Sequence, residues 1–156
     1  MKRTLTIAIL ISLYTLAFGQ RQEGTRFWLA FMEHVDQDEN RKKLYITARK
    51  KTTGTVEVPA LKWQKTFELA SGEAIQIELP REVETVGSEK IGNLSILVTA
   101  FEPVSVYAHQ FSNARSDAAL ILPENSLGKD YVAATYAGHF AEGSGHPAEL
   151  LVVVAF

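Results

Sequence analysis

Short runs in which apolar and polar residues alternate recur along most of the chain, and alternation with a period of two is typical of half-buried β-strands. In the clearest run, residues 103–111, the apolar positions are Val104, Val106 and Ala108. The preceding run, residues 94–100, is also rich in β-branched side chains. Because proline cannot donate a ladder hydrogen bond, Pro103 is expected at a strand start or in a turn. The sequence therefore predicts two adjacent strands joined as a hairpin at Glu102-Pro103.

The same alternation predicts two further hairpins. One turns at residues 50–54, where Gly54 supplies the turn, and the other turns at Ser71-Gly72. The flanking strands are residues 44–48, 55–59, 66–69 and 75–79. Residues 81–93 are polar and charged, and we interpret them as a long loop that leads into the central pair of strands.

Two further stretches of the chain are more hydrophobic. Residues 26–32 and residues 148–156 are apolar on both faces, which is typical of strands covered on both sides. Short strands are predicted at residues 118–123 and 130–136, followed by a glycine-rich loop at residues 138–147. Many short strands separated by turns predict an all-β fold, an antiparallel β-sandwich built of short strands and hairpins. Since a chain rarely stops inside so hydrophobic a strand, we expect the domain to be incomplete at its C-terminus.

Residues 1–19 have the three parts of a secretory signal peptide. The charged pair Lys2-Arg3 precedes an apolar run over residues 5–18, and small residues precede Gln20, where cleavage is expected. The apolar run falls short of the roughly 20 residues that a membrane-spanning helix needs. We therefore predict a secreted or outer cell-surface protein with no membrane span after cleavage and one β domain over residues 20–156.

Composition narrows the classes of partner and of chemistry. The 156 residues contain 16 Lys and Arg, 18 Asp and Glu, and no cysteine. Without Lys2 and Arg3 there are 14 basic against 18 acidic side chains, so the mature chain carries a net charge of −4. This acidic balance argues against a nucleic-acid partner, which requires a basic patch. The absence of cysteine excludes thiol catalysis and disulfides, so the hydrophobic core must stabilise the fold.

Two loops contain side chains that could bind a metal ion. Residues 36–40 offer alternating oxygen ligands, but a calcium-binding EF-hand loop would need glycine at the position of Arg41 and glutamate at the position of Thr47. The glycine-rich loop contains three potential zinc ligands: His139, Glu142 and His146. Their spacing is not that of a metal-binding helix, and no cysteine can supply a fourth ligand. We favour solvated loops at both places and predict no metal and no cofactor.

The candidate catalytic residues lack the partners that catalysis needs. Ser144 lies between two glycines, but the Gly-x-Ser-x-Gly elbow is absent because its outer positions are not glycine. Glu82 and Glu84 could form the carboxylate pair of a glycoside hydrolase, yet both belong to a charged loop with no sign of a cleft. Solvation is the simpler interpretation of these two side chains. We therefore predict no catalytic residue.

Isolated histidines and tryptophans have structural interpretations. His34 and His109 lie near strand ends, where a hydrogen-bonded or exposed position is commoner than a catalytic one. Trp28 belongs to the most apolar strand and is expected in the core. Trp63, between two polar residues, is the better candidate for an exposed contact.

Six stretches of the chain form a series of motifs: residues 24–32, 44–47, 54–59, 103–108, 118–123 and 127–131. The first has the sequence Gly-Thr-Arg-Phe-Trp-Leu-Ala-Phe-Met and resembles the Gly-x-x-Phe-Trp-x-x-Phe-Met opening of the IgG Fc-binding protein N-terminal domain family. The other five resemble later motifs of that family in the same order. Together the motifs span nearly all of the predicted mature chain, whereas the family's domain is longer than this chain.

The resemblance implies an exported all-β module with a binding or structural role and without catalytic residues, and further domains of a longer bacterial surface protein. It transfers no binding-site residue, because the matching positions are turn and core residues. Loops on a rigid β-fold commonly carry binding contacts, so we expect residues 32–43 and 138–147 to contact an extracellular protein or glycan ligand. The alternatives are a structural spacer in a larger surface protein and a secreted carbohydrate-active enzyme.

Overall fold

The computed structural model describes residues 22–34, 40–113, 115–135, 139–141, 144–146 and 149–154. Seven of the strands in this part of the chain belong to one sheet, and all their pairings are antiparallel. They are β1 (Gly24–Leu29), β2 (Arg41–Ala48), β3 (Thr52–Val58), β4 (Trp63–Leu69), β5 (Ala74–Glu78), β6 (Ile96–Phe111) and β7 (Ser116–Ile121). Two short strands, β8 (His139–Ala141) and β9 (Ser144–His146), form a separate hairpin. Two single 3₁₀ turns cover Pro59–Leu61 and Glu124–Ser126.

Three long stretches of chain lie side by side in the sheet. β2 and β3 follow one another along the same side of β6, with β2 opposite residues 104–111 and β3 opposite residues 97–100. β5 and β4 lie outside β2 and β3 in one continuous register, in which Ala74 faces Thr47 and Leu69 faces Thr52. Residues 41–58, 63–78 and 96–111 therefore behave as three neighbouring strands, each of which bends near its middle.

At each turn predicted from the sequence, or directly beside it, the strand bends and does not reverse. The three predicted hairpins are therefore wrong. β2 pairs with β5 and β6 but not with β3, and β4 pairs with β3 but not with β5. The bends at residues 49–51, 70–73 and 101–103 lie next to one another across the sheet. Hairpins form instead between β3 and β4, through the turn at Pro59–Leu61, and between β6 and β7, through residues 112–115.

Pro103 lies inside the 16-residue strand β6, at a place where it removes no ladder hydrogen bond. The β3 ladder ends at Ala100 and the β2 ladder begins at Val104, so residues between them have no ladder partner on that side. The missing N–H of proline is tolerated at such an interruption. The N–H of Glu102, by contrast, donates to the buried hydroxyl Oγ1 of Thr52 at 2.9 Å. The side chain of Thr52 thus replaces a strand partner at the bend.

β1 and β7 complete the sheet on the other side of β6. β1 lies opposite residues 96–104 and β7 lies opposite residues 106–111. The bent sheet forms a nearly closed, barrel-like arrangement, and the predicted all-β antiparallel fold is confirmed. Its interior contains Phe27, Leu29, Leu44, Ile46, Val56, Val58, Leu69, Ile77, Ile96, Val98, Val104 and Val106.

The chain that follows β7 crosses over β1. The carboxylate Oε2 of Glu124 accepts a hydrogen bond from the indole Nε1 of Trp28 at 2.9 Å and lies 2.8 Å from Nε of Arg26. Pro123 packs directly on Gly24, where a Cβ atom would collide with the proline ring. The sequence predicts Trp28 in the core. In the structure Trp28 is only half-buried, and it lies under this crossing segment.

The C-terminal part of the chain departs from the predicted strands. Residues 130–135 and 149–154 form no strand, although the sequence predicts strands over 130–136 and 148–156. The predicted loop at residues 138–147 contains β8 and β9. The predicted signal peptide lies outside the described residues. Within the part that the structure describes, no helix is long and apolar enough to cross a bilayer.

Gly54 lies within β3 instead of in a turn. It faces Phe67 of β4 on one side and Ala100 of β6 on the other. A Cβ atom at this position would collide with the ring of Phe67 and with the backbone oxygen of Thr99. Only the hydrogen of glycine fits, so the aromatic ring of Phe67 can close over the strand at this point.

We expect Gly54→Ala to lower the free energy of unfolding by about 1–3 kcal/mol, because the added methyl group overpacks the contact between β3, β4 and β6. Chemical denaturation monitored by tryptophan fluorescence measures this change. Gly92→Ala is the matched control, since the nearest atom to its added methyl group, on Thr85, lies at an ordinary contact distance of 3.6 Å. Equal stability of the two variants would contradict the interpretation.

Candidate functional site

β2 and β6 present alternate side chains on the outside of the sheet. In their register Tyr45 faces Tyr107 and Lys43 faces His109. The outward aromatic positions form a continuous band, here termed the aromatic face: Tyr45, Tyr107, His109 and Phe111. The inward side chains of the same strands belong to the core, so the band lies on backbone that is fixed by packing.

The rings of the aromatic face contact one another. His109 stacks on Phe111 with ring centroids 4.9 Å apart and an interplanar angle of 13°. Tyr45 lies tilted against His109 at 6.0 Å, and Nζ of Lys43 lies 4.7 Å from the centroid of the Phe111 ring. His109 and Phe111 are consequently half-buried, whereas Tyr45 and Tyr107 are 37% and 42% exposed. The two tyrosines therefore provide most of the accessible surface of the aromatic face itself.

His109 and Ser116 form the nearest approach to a catalytic pair. Nε2 of His109 lies 2.7 Å from Oγ of Ser116 on β7. Nδ1 of His109 is enclosed and has no hydrogen-bond partner among the described residues. A serine nucleophile needs a histidine oriented by a third group and donors that stabilise an oxyanion. The contact is better explained as a cross-strand hydrogen bond that fixes the ring of His109 within the aromatic face.

A buried ion pair lies next to the aromatic face. Nζ of Lys42, which points inward, is 2.7 Å from Oε2 of Glu84, and both side chains are buried. Nδ2 of Asn40 donates to the same oxygen at 2.9 Å, and the backbone N–H of His34 donates to the other carboxylate oxygen. Nζ of Lys42 also donates to the backbone oxygen of Arg81 at 3.1 Å. The carboxylate and the ammonium group therefore satisfy each other and three further polar groups.

This ion pair lies between two segments that also contact each other directly, residues 31–34 after β1 and residues 79–87 after β5. The N–H of Thr85 donates to the oxygen of Phe31 at 2.8 Å, and Oε2 of Glu33 accepts from the N–H of Gly87 at 3.0 Å. On the other side, Nε2 of Gln110 donates to the oxygen of Met32 at 3.3 Å. The start of the loop expected to contact a ligand is thus fixed to the strand that carries Phe111 and His109.

Lys42 and Glu84 correct the sequence-based interpretation. Solvation was the simpler explanation for Glu82 and Glu84, but only Glu82 is exposed and Glu84 is buried against Lys42. The alternation of side chains along β2 is the sequence signal for this ion pair. Lys42 falls on the same face as Leu44 and Ile46, and a lysine at a core position needs a buried partner.

The other candidate residues are not brought together. Trp63 packs half-buried against the core and does not project as an exposed contact. His34 contributes its backbone N–H to Glu84 and belongs to no strand of the sheet. The backbone places His139 opposite His146 in the β8–β9 hairpin, while their side chains, Glu142 and residues 35–39 lie outside the description. Among the described side chains no group of three His, Asp or Glu could hold a metal ion.

A shallow hollow of 430 Å³ lies on the outside of the β3–β4 hairpin, bordered by Thr53, Thr55, Thr66 and Glu68. Oγ1 of Thr55 lies 2.8 Å from Oγ1 of Thr99, so these hydroxyl groups already bond to each other. Glu68 pairs with Lys51 at 2.7 Å. Because Thr55 and Glu68 are already engaged with other side chains and the hollow is shallow, it is a weaker candidate binding site than the aromatic face.

Comparison of the chain with protein-family models, with curated proteins and with solved structures finds no match. The case for a function accordingly depends on the geometry of the aromatic face and on the motifs of the sequence.

We expect Lys42→Met to lower the free energy of unfolding by about 3–5 kcal/mol, because it leaves the buried carboxylate of Glu84 without its counter-charge. Chemical denaturation measures the loss. Lys50→Met is the matched control, since Lys50 pairs with Glu102 at 3.4 Å in an exposed position. The double variant Lys42→Met/Glu84→Gln should recover part of the lost stability. A Lys42 variant as stable as the Lys50 variant would show that the buried pair does not hold the loops.

The exposed pair of Lys51 and Glu68 predicts a pH effect. The hydrogen bond from Lys51, and then its charge, hold the pKa of the Glu68 carboxyl below its usual value, and the same contacts raise the pKa of Lys51. The pair therefore adds stability above the normal titration range of glutamate and loses it as the pH falls through the depressed pKa of Glu68. Lys51→Met should move the pKa of Glu68 upward in an NMR titration. An unchanged pKa would contradict the contact.

Proposed function

We propose that the chain is a non-catalytic binding module of an exported or surface-displayed protein and that it binds a protein partner through the aromatic face. The observation that carries the proposal is the pair of exposed tyrosines, Tyr45 and Tyr107, opposite each other on a rigid sheet. Tyrosine is enriched among the residues that dominate binding energy at protein interfaces. Lys43 and the ion pair of Arg41 with Glu78 at 3.7 Å supply a polar rim.

The arrangement of the rings favours a protein over a glycan as the ligand. A sugar ring stacks on an open aromatic face, but His109 and Phe111 stack on each other and Lys43 lies over Phe111. The accessible parts of the band are therefore the tyrosine side chains on a sheet surface. Such a surface is suited to a partner that covers it with its own apolar side chains.

The packing beneath the band supports the proposal. Val104, Val106 and Ala108 fill the core directly behind the outward residues of β6. A binding surface held on such a backbone loses little conformational entropy when a partner docks. The loop that starts at Met32 borders the band through its contact with Gln110, so it can extend the same surface.

We further propose that the chain is related to the IgG Fc-binding protein N-terminal domains. Support comes from one close contact between motif residues, in which Gly24 of the first motif lies under Pro123 of the fifth. Residues at such contacts specify a fold and not a ligand, so the relation concerns the architecture of the module.

The experiment compares the wild-type chain with Tyr45→Ala/Tyr107→Ala on immobilised immunoglobulin G, mucin, purified extracellular-matrix proteins and a glycan array. We expect the wild type to bind at least one of the proteins and the double variant to lose about tenfold or more in affinity, because both exposed rings are removed. Surface plasmon resonance gives the affinities, and circular dichroism confirms that the fold is retained.

Thr53→Ala/Thr66→Ala provides the matched control, since it alters the outside of the other half of the sheet. This control should bind like the wild type. Binding that survives in the tyrosine variant would show that another surface is used. Binding to glycans alone would refute the protein partner, and a folded wild type that binds none of the probes would favour a structural spacer.

A further inference from the structure

Residues 86–91 form a loop that projects from the barrel. Its base is closed, because a Cβ atom on Gly92 would lie 3.6 Å from Cγ2 of Thr85. The N–H of Thr85 donates to the oxygen of Phe31 at 2.8 Å, which fixes the base to the segment after β1. Every residue of the loop is exposed, and Ile91 is fully so. The loop is therefore anchored at its base and open to solvent at its tip.

The backbone of this loop is weakly held. The N–H of Gly87 donates to Oε2 of Glu33 at 3.0 Å, but residues 88–93 make no hydrogen bond with any described residue. The φ angle of Glu89 is 54°, in the left-handed region that residues with a side chain rarely adopt. Such a backbone is strained. Opening of the loop therefore breaks few contacts and relieves the strain at Glu89.

The peptide bond between Lys90 and Ile91 is of the kind that trypsin-like serine endopeptidases cleave. Such an enzyme holds a lysine side chain in a pocket that contains a carboxylate, and its N–H donors bind the oxygen of the scissile carbonyl. Lys90 is exposed, and its backbone oxygen belongs to the stretch without hydrogen bonds to described residues. Exposed loops of this kind are the preferred sites of proteolytic cleavage.

The other basic residues of the described chain are held more firmly or lack this strain. The backbone oxygen of Arg81 accepts a hydrogen bond from Nζ of Lys42, and Lys62 and Arg115 lie in the short turns of hairpins. Lys129 also lies in an exposed segment outside the strands, but residues 127–135 contain no left-handed backbone. The remaining basic residues lie in strands or, at residues 49–51, in ion pairs with glutamates.

We propose that the bond between Lys90 and Ile91 is a processing site for an extracellular serine endopeptidase with specificity for lysine. Hydrolysis consumes a water molecule and leaves a carboxylate on Lys90 and an ammonium group on Ile91. The cut separates β1 to β5 from β6 and β7, yet β6 pairs with β1, β2 and β3. The two pieces therefore stay together in one sheet as a nicked domain. This proposal depends on the proposed export of the chain but not on the aromatic face.

Limited digestion of the full chain with trypsin, followed by mass spectrometry, tests the site. Among the bonds between residues 22 and 154, we expect the first cut after Lys90. Lys90→Gln should slow cleavage there by about tenfold or more, because a neutral side chain leaves the carboxylate of the enzyme's pocket unpaired. Lys129→Gln is the matched control and should be cut after Lys90 as fast as the wild type. Both lysines are exposed, so the variants keep the fold, which circular dichroism verifies.

The nicked product is then examined with and without denaturant. It should elute like the intact chain in size-exclusion chromatography and give two bands on a denaturing gel. Protein recovered from its native source should include chains that begin at Ile91. A first cut after another basic residue of the described chain, pieces that separate without denaturant, or native material that is intact at this bond would each overturn the proposal.

Discussion

The fold depends on one shared constraint, which is that three neighbouring strands bend at the same level. A sheet can fold over its own core without losing backbone hydrogen bonds only when adjacent strands bend together. Here the level is marked by Gly72, with a φ of 77°, and its N–H donates to the oxygen of Ala48 at 2.8 Å. Thr52 and Pro103 accommodate the same bend in the two other stretches. The core between the two halves of the sheet and the surfaces outside them follow from this geometry.

The alternation of side chains predicts where strands run, but it cannot predict which strands pair. Glycine, serine and proline at residues 50–54, 71–72 and 103 are the residues expected in a reversal of the chain. Ser71, Gly72 and Pro103 also tolerate a bend within a strand, and Gly54 permits close packing inside one, so nothing local distinguishes these outcomes from a reversal. Only the long-range register, in which β2 and β3 both face β6, selects bends over hairpins.

The sequence likewise predicts only part of the candidate site. Alternation along residues 103–111 places Tyr107 and His109 on the outward face, but Tyr45 joins them only through the pairing of β2 with β6. The ion pair of Lys42 and Glu84 joins residues far apart in sequence, so its partner cannot be found from the strand alone. A charged residue at a core position indicates that a buried partner exists, but that partner can be identified only from the fold.

The crossing of Pro123 and Glu124 over β1 has a consequence for the order of folding. Among the described residues β1 pairs with β6, and Arg26 and Trp28 on it are contacted by Glu124, about a hundred positions further along the chain. During synthesis from the N-terminal end, Phe27 and Trp28 emerge long before any of these partners. Contacts of such long sequence separation form late and slowly, and unpaired apolar strands are then open to aggregation. β1, the earliest described strand, is therefore completed only after the chain has passed residue 124.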